Sequence, residues 1–174
     1  MDETKIIRRC QEYDIDGFKM IYELYQQPLL RTALRLLKQQ PDAEDAVQTT
    51  FVKLYNSIGN FKFQSKFSTY LFRILINTCF DIIDNKKKKG TIPLPDSDPV
   101  QQTNAQLRTA IEIAVEKLPA RMRTCFILFA VEEFKQKEIA RILDLSIGGV
   151  KANIYQAKCR LRDMLSGSVR EAVV

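Results

Sequence analysis

Helical periodicity runs through almost all of this chain and breaks once. Apolar residues recur at three- and four-residue spacing up to Ile83 and again from Leu107. Between them lies NKKKKG followed by TIPLPDSDPVQQTNAQ, where Pro93, Pro95 and Pro99 forbid a continuous helix. Almost nothing alternates with the two-residue period of a strand. The expected fold class is therefore all-α: two small helical domains joined by a flexible linker, spanning residues 1–85, 86–106 and 107–174.

The first body is expected to hold three or four helices. Phe18, Ile21, Tyr22, Tyr25, Leu29, Ala33, Leu36 and Leu37 outline an early amphipathic segment, interrupted or bent at Pro28. Pro41-Asp42 opens a new helix, with Asp42 as its cap and acids in the first turn, where the helix dipole favours them. Its apolar stripe is Ala43, Val47, Phe51, Leu54 and Ile58. A further helix from near Ser65 buries Phe67, Leu71, Ile74, Cys79 and Ile82 and runs out into Lys86 to Lys89.

In the second body Leu107, Ile111, Val115 and Leu118 form one stripe, and Pro119 ends that helix and suits the first turn of another. Met122, Phe126, Phe129 and Val131 continue the core. Residues 134–165 then carry two helices and a tight turn. Ile139, Ala140 and Leu143 share one face, Asp144-Leu145-Ser146 is the turn with Ser146 as cap, and Val150, Ile154, Ala157, Leu161 and Leu165 form the buried stripe of a long second helix. The opposite face offers Lys151, Asn153, Tyr155, Gln156, Lys158, Arg160 and Arg162, types that bond phosphates and base edges. A helix-turn-helix of this kind places its second helix in a DNA major groove.

Bulk properties agree. The 174 residues carry 27 Lys plus Arg against 21 Asp plus Glu, a formal charge of +6 that favours polyanionic partners. The chain has no histidine, which removes His-based catalysis and His metal sites, and the four cysteines are scattered without a C-x-x-C pair. Cys79 and Cys125 read as small core residues. With no P-loop and no dinucleotide-binding turn, no catalytic residue, cofactor, metal or small-molecule substrate is expected. No apolar run approaches a membrane span and MDETKIIRRC lacks an apolar signal region, so the protein is expected to be cytoplasmic and not membrane-embedded.

Residues 60–73, NFKFQSKFSTYLFR, interleave aromatic rings with Lys62, Lys66 and Arg73. Rings stack on unpaired bases while cations track the backbone, and each stacked base is worth roughly 1–3 kcal/mol. Phe67 and Phe72 are expected in the core. Phe61, Phe63 and Tyr70 flank a turn with Gly59, Asn60 and Gln64 and are expected to stay outside it.

The order of parts carries a resemblance. D-A-E-D-A-V-Q-x-x-F from Asp42, F-x-F-x-S-x-F-x-T-Y-L-F-R-I-x-x-N from Phe61, a basic stretch, a linker and a carboxy-terminal helix-turn-helix together resemble the group IV, extracytoplasmic-function (ECF) sigma factors of bacterial RNA polymerase. The resemblance spans residues 10–166. It implies a transcription initiation factor with promoter DNA and core polymerase (β′ and β subunits) as partners, and an anti-sigma factor as a further one. It implies that Asp42, Asp45, Gln48 and Phe51 dock on the β′ coiled coil. Ser57, Phe61, Ile74 and Asn77 would line a pocket for a base flipped from the minus-ten box, with Phe63, Lys66, Tyr70 and Arg73 beside it. Lys151, Ala152, Tyr155 and Gln156 would read the minus-thirty-five box, flanked by Asn153 and Lys158.

Three departures from the family pattern stand out. Tyr70 replaces the usual Trp, and Asp144 the usual Gly of the turn, where Asp tolerates a left-handed backbone. Gly148-Gly149-Val150-Lys151-Ala152-Asn153 loses a hydroxyl and an arginine from the reading face. The alternative from the residues alone is a conventional dimeric helix-turn-helix regulator, which needs no polymerase. A helical interaction protein whose basic faces meet an acidic protein is a third reading, and salt-dependent affinity for DNA with a slope matching several phosphates argues against it.

Overall fold

The computed structural model describes residues 2–88 and 110–171, with side chains to residue 166. The expected linker from Lys89 onward and Leu107 of the second body's first stripe lie outside the described residues. The chain divides into two compact units, one centred on the residues up to Lys88 and one on those beyond. Every regular element among the described residues is helical.

The amino-terminal unit has four α-helices: α1 (Glu3–Gln11), α2 (Ile15–Leu37), α3 (Gln40–Ser57) and α4 (Phe67–Lys88), with a 3-10 turn at Ile58–Asn60. The periodicity missed α1. Asp2 caps it, its side chain accepting from Thr4 N–H at 3.1 Å, and Ile6, Ile7 and Cys10 bury one face against α2. Asp14 caps α2 by accepting from Asp16 N–H, and pairs with Arg9 at 2.5 Å. That guanidinium holds the Asp14 carboxyl below the usual carboxylate range. Helix α2 is not interrupted at Pro28. Burial of Ile21 on one side and Leu29 and Ala33 on the other outweighs a proline cost of about 3 kcal/mol.

Asp42 is not the cap of α3. Gln39 occupies that position without a side-chain bond, Pro41 sits in the first turn, and Asp42 follows it. Its carboxylate is taken instead by Lys86 of α4. Helices α2, α3 and α4 pack on one another around Ile21, Leu29, Leu54, Ile58, Leu71, Leu75 and Ile76, all fully buried. Cys79 is buried as expected, while Ile74 and Ile82 are only half-buried.

The second unit holds α5 (Ala110–Glu116), α6 (Ala120–Ala130), α7 (Gln136–Leu143) and α8 (Ile147–Glu171). Pro119 is the N-cap of α6, one position before the expected first turn. Ala114, Leu118, Met122, Ala157 and Leu161 form one buried cluster, with Val115, Phe126, Met164 and Leu165 against it, and Ile127, Leu128, Ile139 and Val150 are fully buried as well. Val131, expected inside, is exposed, because α6 ends at Ala130 and the chain turns away.

Candidate nucleic-acid interfaces

The helix-turn-helix forms by local rules. Glu138 accepts from Lys135 N–H at 2.8 Å and closes the first turn of α7. After α7, Asp144 takes the left-handed conformation (φ 52°), and Leu145 N–H reaches back to Ala140 carbonyl at 3.0 Å, satisfying a carbonyl that the helix end leaves unpaired. Ser146 Oγ accepts from Gly149 N–H at 3.0 Å and starts α8, as its cap position predicts. Ile139, Ile142, Val150, Ile154, Ala157 and Leu161 are buried, so the other side of α8 is presented outward. Ile142 was not anticipated, and Leu143 is half-buried.

On that outward side Lys151, Ala152, Tyr155, Gln156 and Lys158 are exposed, Tyr155 by 70%. Two side chains are already engaged. Lys158 Nζ lies 5.0 Å from the centre of the Phe129 ring, and the Asn153 amide donates to Gly149 carbonyl at 2.8 Å. The Phe129 ring attracts that ammonium through its π-face and restrains where the charge sits. Asn153 keeps its carbonyl oxygen and its second amide N–H for a base.

In the amino-terminal unit the aromatic segment divides differently from the expectation. Phe67 and Phe72 are buried, as predicted, but so is Phe61, at 6% exposure. Its backbone is fixed by Gln11 of α1, whose amide donates to Phe61 carbonyl at 2.8 Å and Ile58 carbonyl at 3.2 Å. Around the Phe61 ring stand Phe63 at 4.9 Å, Tyr70 at 5.0 Å and Phe67 at 5.7 Å between centroids. Phe63 is exposed and Tyr70 half-buried.

Tyr70 and Ser57 meet directly, and Lys53 one turn earlier on α3 bonds Thr78 and Asp81 of α4. Tyr70, Ile74, Asn77 and Asp81 follow at four-, three- and four-residue steps, so Ile74 and Asn77 lie on the α4 stripe between these two bridges. Asn77 and Arg73 are exposed there, Ile74 half-buried. Lys66 is exposed at the entry to α4.

On α3, Asp45 and Gln48 are exposed, Asp42 is held by Lys86, and Phe51 packs against Tyr22 at 4.8 Å. The same stripe continues into Val52 and Tyr55, which sequence reasoning missed; both are exposed although apolar. Their signal was available: they fall off the buried Val47–Leu54–Ile58 register, where a polar residue is the ordinary choice. Tyr55 also meets Phe18 and Tyr13, at 5.0 and 5.4 Å.

Fold and surfaces define a helical DNA-binding protein of two units, one of them a helix-turn-helix. Residues 21–89 match the family Sigma-70 region 2, and residues 108–161 match Sigma-70, region 4. The chain is 31% identical over 178 residues to the ECF RNA polymerase sigma factor SigW of Bacillus subtilis, covering 92% of this chain and 95% of that one. It is 28% identical over 191 residues to the RNA polymerase sigma-H factor of Pseudomonas aeruginosa, covering 98% and 97%. In fold it is similar to the sigma factor RpoE, solved in complex with the anti-sigma factor NepR from Bartonella quintana, with a TM-score of 0.74, 24% identity and coverage of 87% and 98%. It is likewise similar to CnrH, solved with the cytosolic domain of CnrY, with a TM-score of 0.70, 20% identity and coverage of 93% and 96%. The chain belongs to the ECF RNA polymerase sigma factors. It is a promoter-specific initiation factor that binds core RNA polymerase and promoter DNA; the dimeric regulator is not favoured. Among the described residues no helix is long and apolar enough to cross a membrane.

Proposed function

We propose that the two units divide promoter recognition. The α8 face with Lys151, Ala152, Tyr155 and Gln156, flanked by Asn153 and Lys158, reads the minus-thirty-five box as intact duplex. The segment from Ser57 to Asn77 captures unpaired bases of the minus-ten box, with Arg73 and Lys66 toward the phosphates and Ile74 and Asn77 toward the base. The α3 stripe of Asp45, Gln48, Val52 and Tyr55, with Asp42 and Phe51 at its edge, docks on core polymerase. Residues 89–106, a start three residues later than the sequence suggests because α4 runs to Lys88, tether the two bodies.

The protein acts in the cytoplasm, without catalytic chemistry or a cofactor of its own. An anti-sigma factor that covers the polymerase-docking stripe would hold it inactive; the solved complexes of RpoE with NepR and CnrH with CnrY support such a partner. Each module alone covers a modest interface, and tethering on polymerase raises their effective concentration for one another.

The observation that carries this reading is the exposed, polar and basic face of α8 opposite a fully apolar stripe, in a chain whose other unit leaves Arg73 and Asn77 open beside an aromatic cluster. Run-off transcription with purified bacterial core polymerase on a promoter library tests it. Addition of the protein should select a subset of promoters and yield defined starts. Failure to associate with core, together with unaided selection of palindromic sites as a dimer, would overturn it.

A further inference from the structure

Phe63 combines three properties that together are unusual for an aromatic residue. Its backbone is left-handed (φ 57°), a region that strains any side chain bulkier than glycine, asparagine or aspartate. Its ring is 43% exposed although apolar. And that ring lies against Phe61, with centroids 4.9 Å apart and planes tilted by 57°. Phe61 itself is locked from behind: Gln11 holds its carbonyl, its own N–H bonds Ile58 carbonyl at 3.0 Å, and Phe67 and Tyr70 wall two further sides of the ring. Of the aromatic rings around Phe61, only Phe63 belongs to the turn segment between the 3-10 turn and α4 rather than to a helix.

We propose that Phe63 is a plug: its ring occupies the stacking surface of Phe61 in the free protein, and an unpaired base displaces it. The proposal rests on the strand-capture reading above but assigns Phe63 the opposite sign, a positioning residue that opposes capture until a base competes with it. The physics is a balance. One aromatic contact holds the ring down, whereas release lets the backbone leave the strained region, so the plug is retained but weakly. A base that stacks well on Phe61 gains the contact that Phe63 surrenders; one that stacks poorly does not, which makes the plug a threshold for strand opening.

The experiment measures binding of a fluorescein-labelled, random-sequence single-stranded DNA 12-mer to the holoenzyme, with core polymerase alone as background. Phe63→Gly and Phe63→Asn both suit a left-handed backbone, so both should fold, and each should bind tighter by up to about tenfold, the worth of one ring contact no longer broken. Phe63→Tyr keeps the ring and should match the parent. A 12-mer with interspersed 2-aminopurine adds a signature of stacking: quenching on binding should deepen in Phe63→Gly. Weaker or unchanged binding in the glycine and asparagine variants would overturn the plug and leave Phe63 a stacking contact or a bystander. Arg73→Ala and Asn77→Ala separate the two levels: if neither weakens 12-mer binding, this segment is not the strand site and the underlying reading falls with the plug.

Discussion

Tyr70 Oη donates to Ser57 Oγ at 2.7 Å, and Ser57 Oγ in turn donates to Lys53 carbonyl at 2.7 Å. The phenol therefore ties the start of α4 to the last turn of α3, while its ring stays against Phe61. Tyr stands where the family usually has Trp, so this tie is a use of the residue beyond stacking. Tyr70→Phe keeps the ring and removes the bond. It should lower stability by about 1 kcal/mol, read as a lower midpoint in urea, and leave strand opening on a promoter within roughly threefold. Loss of opening with unchanged stability would show that the hydroxyl acts on DNA instead.

Phe61 and Asn77 should separate a ring whose loss is first a loss of packing from a side chain that acts by contact alone. Phe61 is core, so Phe61→Ala should cost about 3–5 kcal/mol and remove transcription because the unit unfolds. Asn77 is exposed, so Asn77→Ala should change stability by less than about 0.5 kcal/mol. Its defect should appear in strand opening and be partly rescued by templates with a prebuilt bubble. Thermal unfolding and run-off assays on both variants make the comparison, and a stable Phe61→Ala protein would contradict the burial argument.

What could be read from the sequence follows the range of the interactions involved. The turn of the helix-turn-helix was legible because the Ser146 cap and the left-handed Asp144 are set within five positions, whereas the inner face of α7, with Ile142 unanticipated, was read only in part. Phe61 was misjudged for the opposite reason. Its neighbours Gly59 and Asn60 look like an open turn, but Gln11, fifty residues away, pins its backbone and folds the ring inward. Asp42 was assigned to a local cap, and a lysine 44 residues away claimed it. Helix α1 escaped notice because nine residues give only Ile6, Ile7 and Cys10 as a pattern, and that pattern gains meaning only against α2.

The thiols should sort by burial. Burial pushes the Cys10 thiol up to about 11, with Asp14 adding to it, and burial alone lifts Cys79 to about 12; Cys125 rises to about 11. At pH 8 these three are therefore neutral in the fold as well as shielded, and neutral thiols do not attack. Half-buried Cys159 is the exception in access. A disulfide reagent at pH 8 should titrate one thiol rapidly in the native protein and all four after denaturation. Two or more fast native thiols would show that one of the helical units opens readily.

Lys151 and Tyr155 project from α8 with no core role, so Lys151→Ala and Tyr155→Ala should leave thermal stability and core-polymerase binding unchanged. If both meet duplex DNA, promoter binding by holoenzyme should fall. For Lys151→Ala, loss of a phosphate contact predicts a salt dependence shallower by about one in the log–log slope, with weakening that is similar across sequences. Tyr155→Ala should instead change the preference among minus-thirty-five sequences and leave the slope alone. Filter binding or fluorescence anisotropy over a salt series distinguishes the two patterns.

Gly17 sets two effects of known size against each other. It lies in the first turns of α2, where alanine would favour the helix by about 1 kcal/mol. A Cβ there would stand 3.0 Å from Arg9 Cβ and 3.2 Å from Cys10 N, both in α1, so α1 would have to move away. Movement is resisted at both its faces: Arg9 is held by Asp14, and Gln11 by the Phe61 and Ile58 carbonyls. Overpacking of this kind costs about 1–3 kcal/mol, so the clash should win and Gly17→Ala should lower the unfolding temperature. Because Gln11 fixes Phe61, the same substitution should also loosen the aromatic cluster and weaken single-strand binding. A variant that melts higher than the parent, with unaltered DNA binding, would mean that α1 yields freely and does not hold Phe61 in place.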